Sequence, residues 1–180
     1  MKVKTIAPKW EGKFLNLHHY YLDDGRIYEV CSRSARPDPK RCDAVDIIAF
    51  NATRDAICVI SEYRPPVEDY ILAFPAGLRE SGESIYETAQ RELFEECGLH
   101  ISALLNHLEP SFQSPGMSDE TCATVICAAE GELTNKNETK DEDIRPMWLT
   151  KEQAKEYLQS GKPISVRCQM FLAIWSGYLS

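Results

Sequence analysis

A chain of 180 residues with 43% apolar and 27% charged side chains has the makeup of a soluble globular protein built around one core. Its net charge of −8 argues against non-specific nucleic-acid binding, which needs a basic patch, although bound cations can still draw phosphates to an acidic protein. No apolar run has the length of a membrane span, and Lys2 to Glu11 hold no secretory apolar segment. Seven cysteines without a C-x-x-C pair fit buried free thiols in a reducing cytoplasm better than zinc ligands or a disulfide framework. His18, His19, His100 and His107 lack ligand spacing and read as surface or satisfied side chains.

Residues 12–22 read as a strand, Asp23-Asp24-Gly25-Arg26 as a hairpin turn and 27–33 as the returning strand. The stretch 34–41, with two prolines and several charges, is a loop. Residues 43–50 and 56–63 are β-rich, and the N-A-T-R-D turn between them predicts an antiparallel pair. Arg64-Pro65-Pro66 ends the second strand, 70–74 forms another, and Pro75-Ala76-Gly77 turns the chain. Further on, strands are predicted over 101–109, 120–129 and 144–149, with loops at 111–119 and 130–143. The second loop is polar, with Leu133 as its one clear hydrophobe, and loops of that length are commonly functional or mobile. Thr150 is placed to cap a helix over 151–160, which Gly161-Lys162-Pro163 breaks. A last helix over 165–178 carries Met170, Phe171, Ile174 and Trp175 on its apolar side. Strands, a central helix, more strands and then helices make an α+β class.

The central helix follows a glycine loop. Ser84 and Glu87 form a capping-box pair, Ile85, Ala89, Leu93 and Cys97 give an apolar stripe, and Gly98 is the stop signal. Its acids stand at the unfavourable end. Glu92, Glu95 and Glu96 crowd the last turn, where like charges four apart repel by roughly 0.2–0.5 kcal/mol and oppose the helix dipole by roughly 0.3–1 kcal/mol each. A solvated acidic face is the ordinary meaning of such a helix, but acids favour the first turn, and these are tied to a glycine loop at fixed spacing. A hard divalent cation, Mg²⁺ or Mn²⁺, resolves both the crowding and the dipole.

Gly77, Glu83, Arg91, Glu92, Leu93, Glu95, Glu96, Gly98 and Leu99 match, without departure, the Nudix box: Gly, five residues, Glu, seven residues, Arg-Glu-hydrophobic-x-Glu-Glu-x-Gly-hydrophobic. The chain thus resembles the Nudix hydrolases, which cleave a nucleoside diphosphate linked to another group using Mg²⁺ or Mn²⁺. The resemblance implies an α/β/α sandwich with a mixed central sheet over residues 41–180, preceded by an N-terminal antiparallel hairpin region over 1–40. Pro115, sixteen positions after Leu99 in S-P-G-M-S-D-E, is similar to a marker of the ADP-ribose pyrophosphatase subfamily. Arg64-Pro65-Pro66, Phe74-Pro75-Ala76-Gly77, and Tyr28-Glu29 with Arg33 resemble it further.

By that resemblance, Glu92 and Glu96 would bind metal with help from the Ala76 carbonyl, with Glu95 beside them. Arg91 would hold the loop through an acid such as Glu83, and Arg64 would contact phosphate. Phe14 and Tyr28 would stack on adenine, Glu29 and Arg33 would make polar contacts to it, and Met117 would join the substrate site. Phe14 and Tyr28 also fit a plainer role as cross-strand packing partners. The adenine contacts imply a homodimer with exchanged N-terminal hairpins, without nucleic-acid or membrane partners. The general base would come from the loop after the box: Glu142, with Asp143 and Asp141 behind it, or Glu120. The implied reaction is hydrolysis of ADP-ribose to AMP and ribose 5-phosphate. The same chemistry on ADP-glucose or GDP-mannose is the close alternative. A non-catalytic ADP-ribose sensor and an isopentenyl diphosphate isomerase rank lower, because the box is intact.

Overall fold

The computed structural model describes residues 1–35, 37–38, 41–136 and 143–179. The chain divides into two compact units, Met1–Ala44 with Glu109–Ala123, and Val45–Leu108 with Thr124–Ser180.

In the first unit, β1 (Val3–Glu11), β2 (Asn16–Leu22) and β3 (Ile27–Ser32) form an antiparallel sheet in the order β1-β2-β3. The β2–β3 hairpin turns where the sequence predicts, with Gly25 at φ 87° and the Asp24 carboxylate accepting from Arg26. The strand β1 is additional. Its side chains are nearly all exposed and Pro8 sits at a register shift, so it shows no alternation to read. Proline is tolerated there because β1 is an edge strand. On β2, alternation turns Asn16 and His18 inward, and both are buried.

The larger sheet has seven strands in the order β10-β5-β4-β9-β8, with β6 on β5 and β7 on β4. These are β4 (Ala44–Phe50), β5 (Ala56–Arg64), β6 (Asp69–Ala73), β7 (Ala76–Leu78), β8 (Leu99–Phe112), β9 (Thr121–Gly131) and β10 (Ile144–Thr150). The helices are α1 (Ile85–Cys97), α2 (Lys151–Gln159) and α3 (Val166–Trp175). The strands β4 and β5 pair antiparallel as predicted. Alternation along β5 makes the layers. Ile57 and Val59 pack with Leu72, Phe74, Leu149, Ala154 of α2, and Cys168 and Leu172 of α3. Cys58, Ile60 and Glu62 point to the opposite face, where Cys58 meets Cys97 of α1. The result is the expected α+β sandwich, a mixed sheet between helices.

Three local expectations change. The strand β8 continues past Pro110 to Phe112, which its place at the end of the sheet allows. Residues 76–78 form a short strand against β4 where a plain turn was expected. The buried side of α3 is Cys168 and Leu172, with Phe171 and Trp175 half-covered, whereas Met170 and Ile174 are exposed. The helix is apolar almost all round, so periodicity could not choose its face. Among the described residues no helix is long and apolar enough to cross a membrane.

Helix α1 has the caps that its sequence predicts. Ser84 Oγ accepts from the Glu87 N–H at 3.2 Å, and Glu87 Oε2 accepts from the Ser84 N–H at 2.8 Å. Gly98 closes the helix at φ 71°, donating to the Phe94 carbonyl at 2.9 Å. A Cβ on Gly98 would stand 2.4 Å from Thr134 Cγ2 as well as in the left-handed region. Gly98→Ala is therefore expected to cost about 1–2 kcal/mol, read as a lower urea midpoint with an unchanged m-value.

Candidate active site

Helix α1 buries Thr88, Ala89, Glu92, Leu93, Glu96 and Cys97, so two of its three C-terminal acids lie on the inward side beside the apolar stripe. Glu92 is 8% exposed and Glu96 4%, and this burial rules out a merely solvated acidic face. The Glu96 carboxylate accepts from the Ala76 N–H at 3.0 Å. Burial, with the negative charges of Glu92 and Glu62 nearby, pushes its pKa well above the usual carboxylate range. Gly77 passes so close to α1 that an added Cβ would fall 1.9 Å from the Glu92 carboxylate. The glycine at the start of the box thus clears the space in which that carboxylate stands.

Arg91 is the hub of this region. Its guanidinium donates to Glu83 at 2.9 and 3.0 Å, to Glu92 at 2.7 Å, to Glu95 at 3.1 Å and to the Leu78 carbonyl at 3.0 Å. Bonding to Arg91 holds the Glu83 carboxyl down at about 2, with help from Thr88 and the Glu80 N–H. The Arg91–Glu83 pair expected from the sequence is present, and it ties the glycine loop to the helix. Glu95 stays half-buried against Arg91.

Arg64 lies two residues beyond Glu62 on β5 and pairs with it at 2.7 Å. Sequence reading passed over Glu62, an 8%-exposed carboxylate on the strand face turned toward α1. The available signal was an acid in the otherwise apolar run A-I-C-V-I-S-E-Y, in phase with Arg64.

A divalent cation fits this arrangement. The donors are hard oxygens, at least one carboxylate is deeply buried, and Glu92 and Glu62 raise the proton affinity of Glu96. Among the described residues, no three His, Cys, Asp or Glu side chains stand gathered as a ready cage. The geometry gives a reason, since one Glu92 oxygen is turned onto Arg91.

The residues expected around adenine belong to the first unit. Tyr28 OH donates to the Gly116 carbonyl at 2.7 Å, the Cys31 N–H donates to the Met117 carbonyl at 2.8 Å, and Arg33 pairs with Glu120 at 2.6 Å. Ser32 Oγ donates to Asp119 at 3.1 Å. Tyr28 and Arg33 are thus brought against the Ser114–Glu120 loop, which carries Met117 and Glu120. Glu29 is turned elsewhere, pairing with His19 at 3.3 Å. Phe14 stands in the turn between β1 and β2, with the Lys13 ammonium 4.6 Å from its ring centre. Tyr28 is opposite Tyr20, so Phe14 and Tyr28 are not cross-strand partners. Glu142 and Asp141 lie outside the described residues. The Asp143 carboxylate accepts from Tyr70 OH and stands 3.8 Å from Arg145.

The comparisons agree with the box. A family model described as NUDIX domain matches residues 40–167. The chain is similar to the ADP-ribose pyrophosphatase of Bacillus subtilis (strain 168), 31% identical over 89% of this chain and 85% of that protein. It is also similar to the ADP-ribose pyrophosphatase of Escherichia coli (strain K12) and the ADP-sugar pyrophosphatase of Mus musculus. Both are 31% identical over 68% of this chain, which spans 62% and 58% of their lengths, less than two thirds. A solved structure described as "Crystal structure of ADP compounds hydrolase" shares the fold, with a TM-score of 0.71 at 20% identity over 99% of this chain and 95% of that one. With the Gly77–Leu99 box complete and the family model matched over more than half its length, the chain belongs to the Nudix hydrolase family.

Proposed function

We propose that this protein hydrolyses the diphosphate bond of ADP-ribose, giving AMP and ribose 5-phosphate, with Mg²⁺ or Mn²⁺. The observation that carries the metal chemistry is the buried Glu92–Glu96 pair at the end of α1, pressed together with Glu62 nearby. Glu92, Glu96 and the Ala76 carbonyl would hold the cation. When bound, such an ion polarises a phosphoryl oxygen and lowers the pKa of a coordinated water. Arg91 keeps the glycine loop and the acids in register, and Arg64 supplies positive charge for the diphosphate. Glu142 is the proposed base that accepts the water's proton, with Glu120 or a neighbouring acid as the alternative.

For the adenosine end, the proposed contacts are Phe14, Tyr28, Glu29, Arg33 and Met117, completed in a homodimer that exchanges residues of the N-terminal region 1–40. The name of the Bacillus relative, matched over most of both chains, supports ADP-ribose as the substrate. The name of the mouse relative keeps other ADP-sugars as the second reading. Seven free thiols suit work in a reducing cytoplasm.

A substrate panel with Mg²⁺ tests the reading: ADP-ribose, ADP-glucose, GDP-mannose, NADH and diadenosine polyphosphates, with products separated. The expected result is AMP plus ribose 5-phosphate appearing fastest from ADP-ribose. Faster cleavage of GDP-mannose would keep the metal chemistry and remove the adenine contacts, whereas faster cleavage of ADP-glucose would keep both and change only the sugar. Binding of ADP-ribose without cleavage would replace the enzyme with a sensor.

A further inference from the structure

We propose that Tyr70, Asp143 and Arg145 form a clamp that positions the segment carrying Glu142, with Asp143 acting as its anchor and not as the base. The inference rests on the proposed reading that Glu142 is the base.

The clamp is built across three strands. On β5, Ile57 and Val59 face α2 and α3, so period-two geometry turns Tyr63 to that side and Glu62 to the side of α1. Tyr70 of β6 stands opposite Tyr63, and the two rings meet edge to face with centres 5.5 Å apart. Arg145 of β10 stands opposite Ser61, in phase with Tyr63, and its guanidinium lies 4.2 Å from the centre of the Tyr70 ring. Arg145 donates to the Tyr70 hydroxyl oxygen at 2.6 Å, and that hydroxyl donates in turn to the Asp143 carboxylate. The other Asp143 carboxylate oxygen stands 3.8 Å from Arg145. The Asp143 carbonyl accepts from the Tyr63 N–H at 3.2 Å. Asp143 is thus held by main chain and side chain at once, immediately before β10 begins.

This placement separates Asp143 from the chemistry. A base must come within hydrogen-bond reach of the water that it deprotonates. The Asp143 carboxylate is engaged by Tyr70 and Arg145 on the α2 and α3 side of the sheet, whereas Glu92 and Glu96 belong to α1, on the other side. Nor is the cluster a large source of stability, because the Arg145 and Asp143 side chains are 62% and 56% exposed, and exposed ion pairs contribute little. Its value is positional. Glu142 is the next residue in the chain, and a base misplaced by about 1 Å loses roughly a hundredfold in rate. A fixed point one residue away limits that misplacement.

The test combines ADP-ribose kinetics with limited trypsin digestion of the full-length protein. Tyr70→Phe removes the hydroxyl and keeps the ring. It should lower kcat about tenfold through misplacement of the base, with KM and melting temperature nearly parental. Asp143→Ala should match it, and the double variant should be no worse than either single one, because both break the same link. Asp143→Asn should recover most of the kcat that Asp143→Ala loses, since the amide oxygen still accepts from Tyr70. Cleavage after Lys136 or Lys140 should be several-fold faster in Tyr70→Phe and Asp143→Ala than in the parent or Asp143→Asn. Asp143→Asn as damaging as Asp143→Ala, with the acid limb of the pH–rate profile lost, would make Asp143 the base and overturn the inference. Parental cleavage in Tyr70→Phe would overturn the clamp, and this comparison needs no turnover, so it stands whatever the substrate. Parental kcat in Glu142→Gln would overturn the base reading, and the positioning of that base with it, even where trypsin shows the clamp.

Discussion

Glu96→Gln should reduce metal-dependent hydrolysis by about a thousandfold or more, a loss of roughly 4 kcal/mol of transition-state stabilisation, while leaving the metal-free protein as stable as before or more so. Both halves come from the same environment. Glu96 is almost wholly buried and feels the charge of Glu92 and Glu62, so its ionised form strains the folded chain. Glutamine keeps the shape, and its side-chain oxygen still accepts from the Ala76 N–H, but it carries no charge. The sign with pH follows. A carboxyl whose pKa is raised by folding binds more protons in the folded state, so its contribution makes the metal-free protein less stable as pH rises above the unfolded carboxyl range. Glu96→Gln should flatten that slope, and Mn²⁺ should no longer raise its melting temperature. Near-normal turnover in the variant would take Glu96 out of the metal site. A melting temperature in EDTA far below that of the parent would show that its charge stabilises the fold.

Gly77→Ala is the smallest change with a comparably large expected effect. The backbone at Gly77 is not in the left-handed region, so alanine is not strained there by its own dihedrals. Its methyl group would meet the Glu92 carboxylate at 1.9 Å. That carboxylate is the far end of a flexible side chain, so it swings aside at small cost in stability. The displacement moves a proposed metal ligand by an ångström or more, and misplacement on that scale costs about a hundredfold in rate. The expected pattern is a folded protein with a nearly parental melting temperature, a kcat/KM reduced about a hundredfold, and partial recovery at high Mn²⁺. An unchanged kcat/KM would mean that Glu92 does not act from the position it holds here.

The bounds and caps of helix α1 were legible. Its caps, stripe and crowded acids are local patterns, and the structure has both caps and buries Ala89, Leu93 and Cys97 of the stripe, with Ile85 half-buried. The antiparallel β4–β5 pair and the capped α2 were legible for the same reason. Elements lacking contrast were not. Nearly all of β1 is exposed and all but a few positions of α3 are apolar, so neither has a periodic signal that separates inside from outside. The acids of α1 could be read as a cluster, but that two of them face inward depends on what packs against them. Glu62 was missed because its importance lies in a neighbour thirty-four positions away, Glu96. Likewise, that Tyr28 and Arg33 engage Gly116 and Glu120 is a long-range pairing with no local sign.

Six of the seven thiols are buried, Cys31 being the half-exposed one, and they behave as small apolar side chains. Burial pushes Cys127 up to about 12 and raises Cys168, and a hydrogen bond with Cys58, with burial behind it, raises Cys97, so none of these three is a ready nucleophile. Cys97 is nevertheless flanked in sequence by Glu96 and Gly98. An alkylating reagent that reaches it must first open the end of α1, and adduct formation there would disrupt the acids beside it. Slow inactivation by iodoacetamide or maleimide would then time a local opening of the fold, and protection by metal would measure how firmly the ion shuts it. Such inactivation would be poor evidence for a catalytic cysteine.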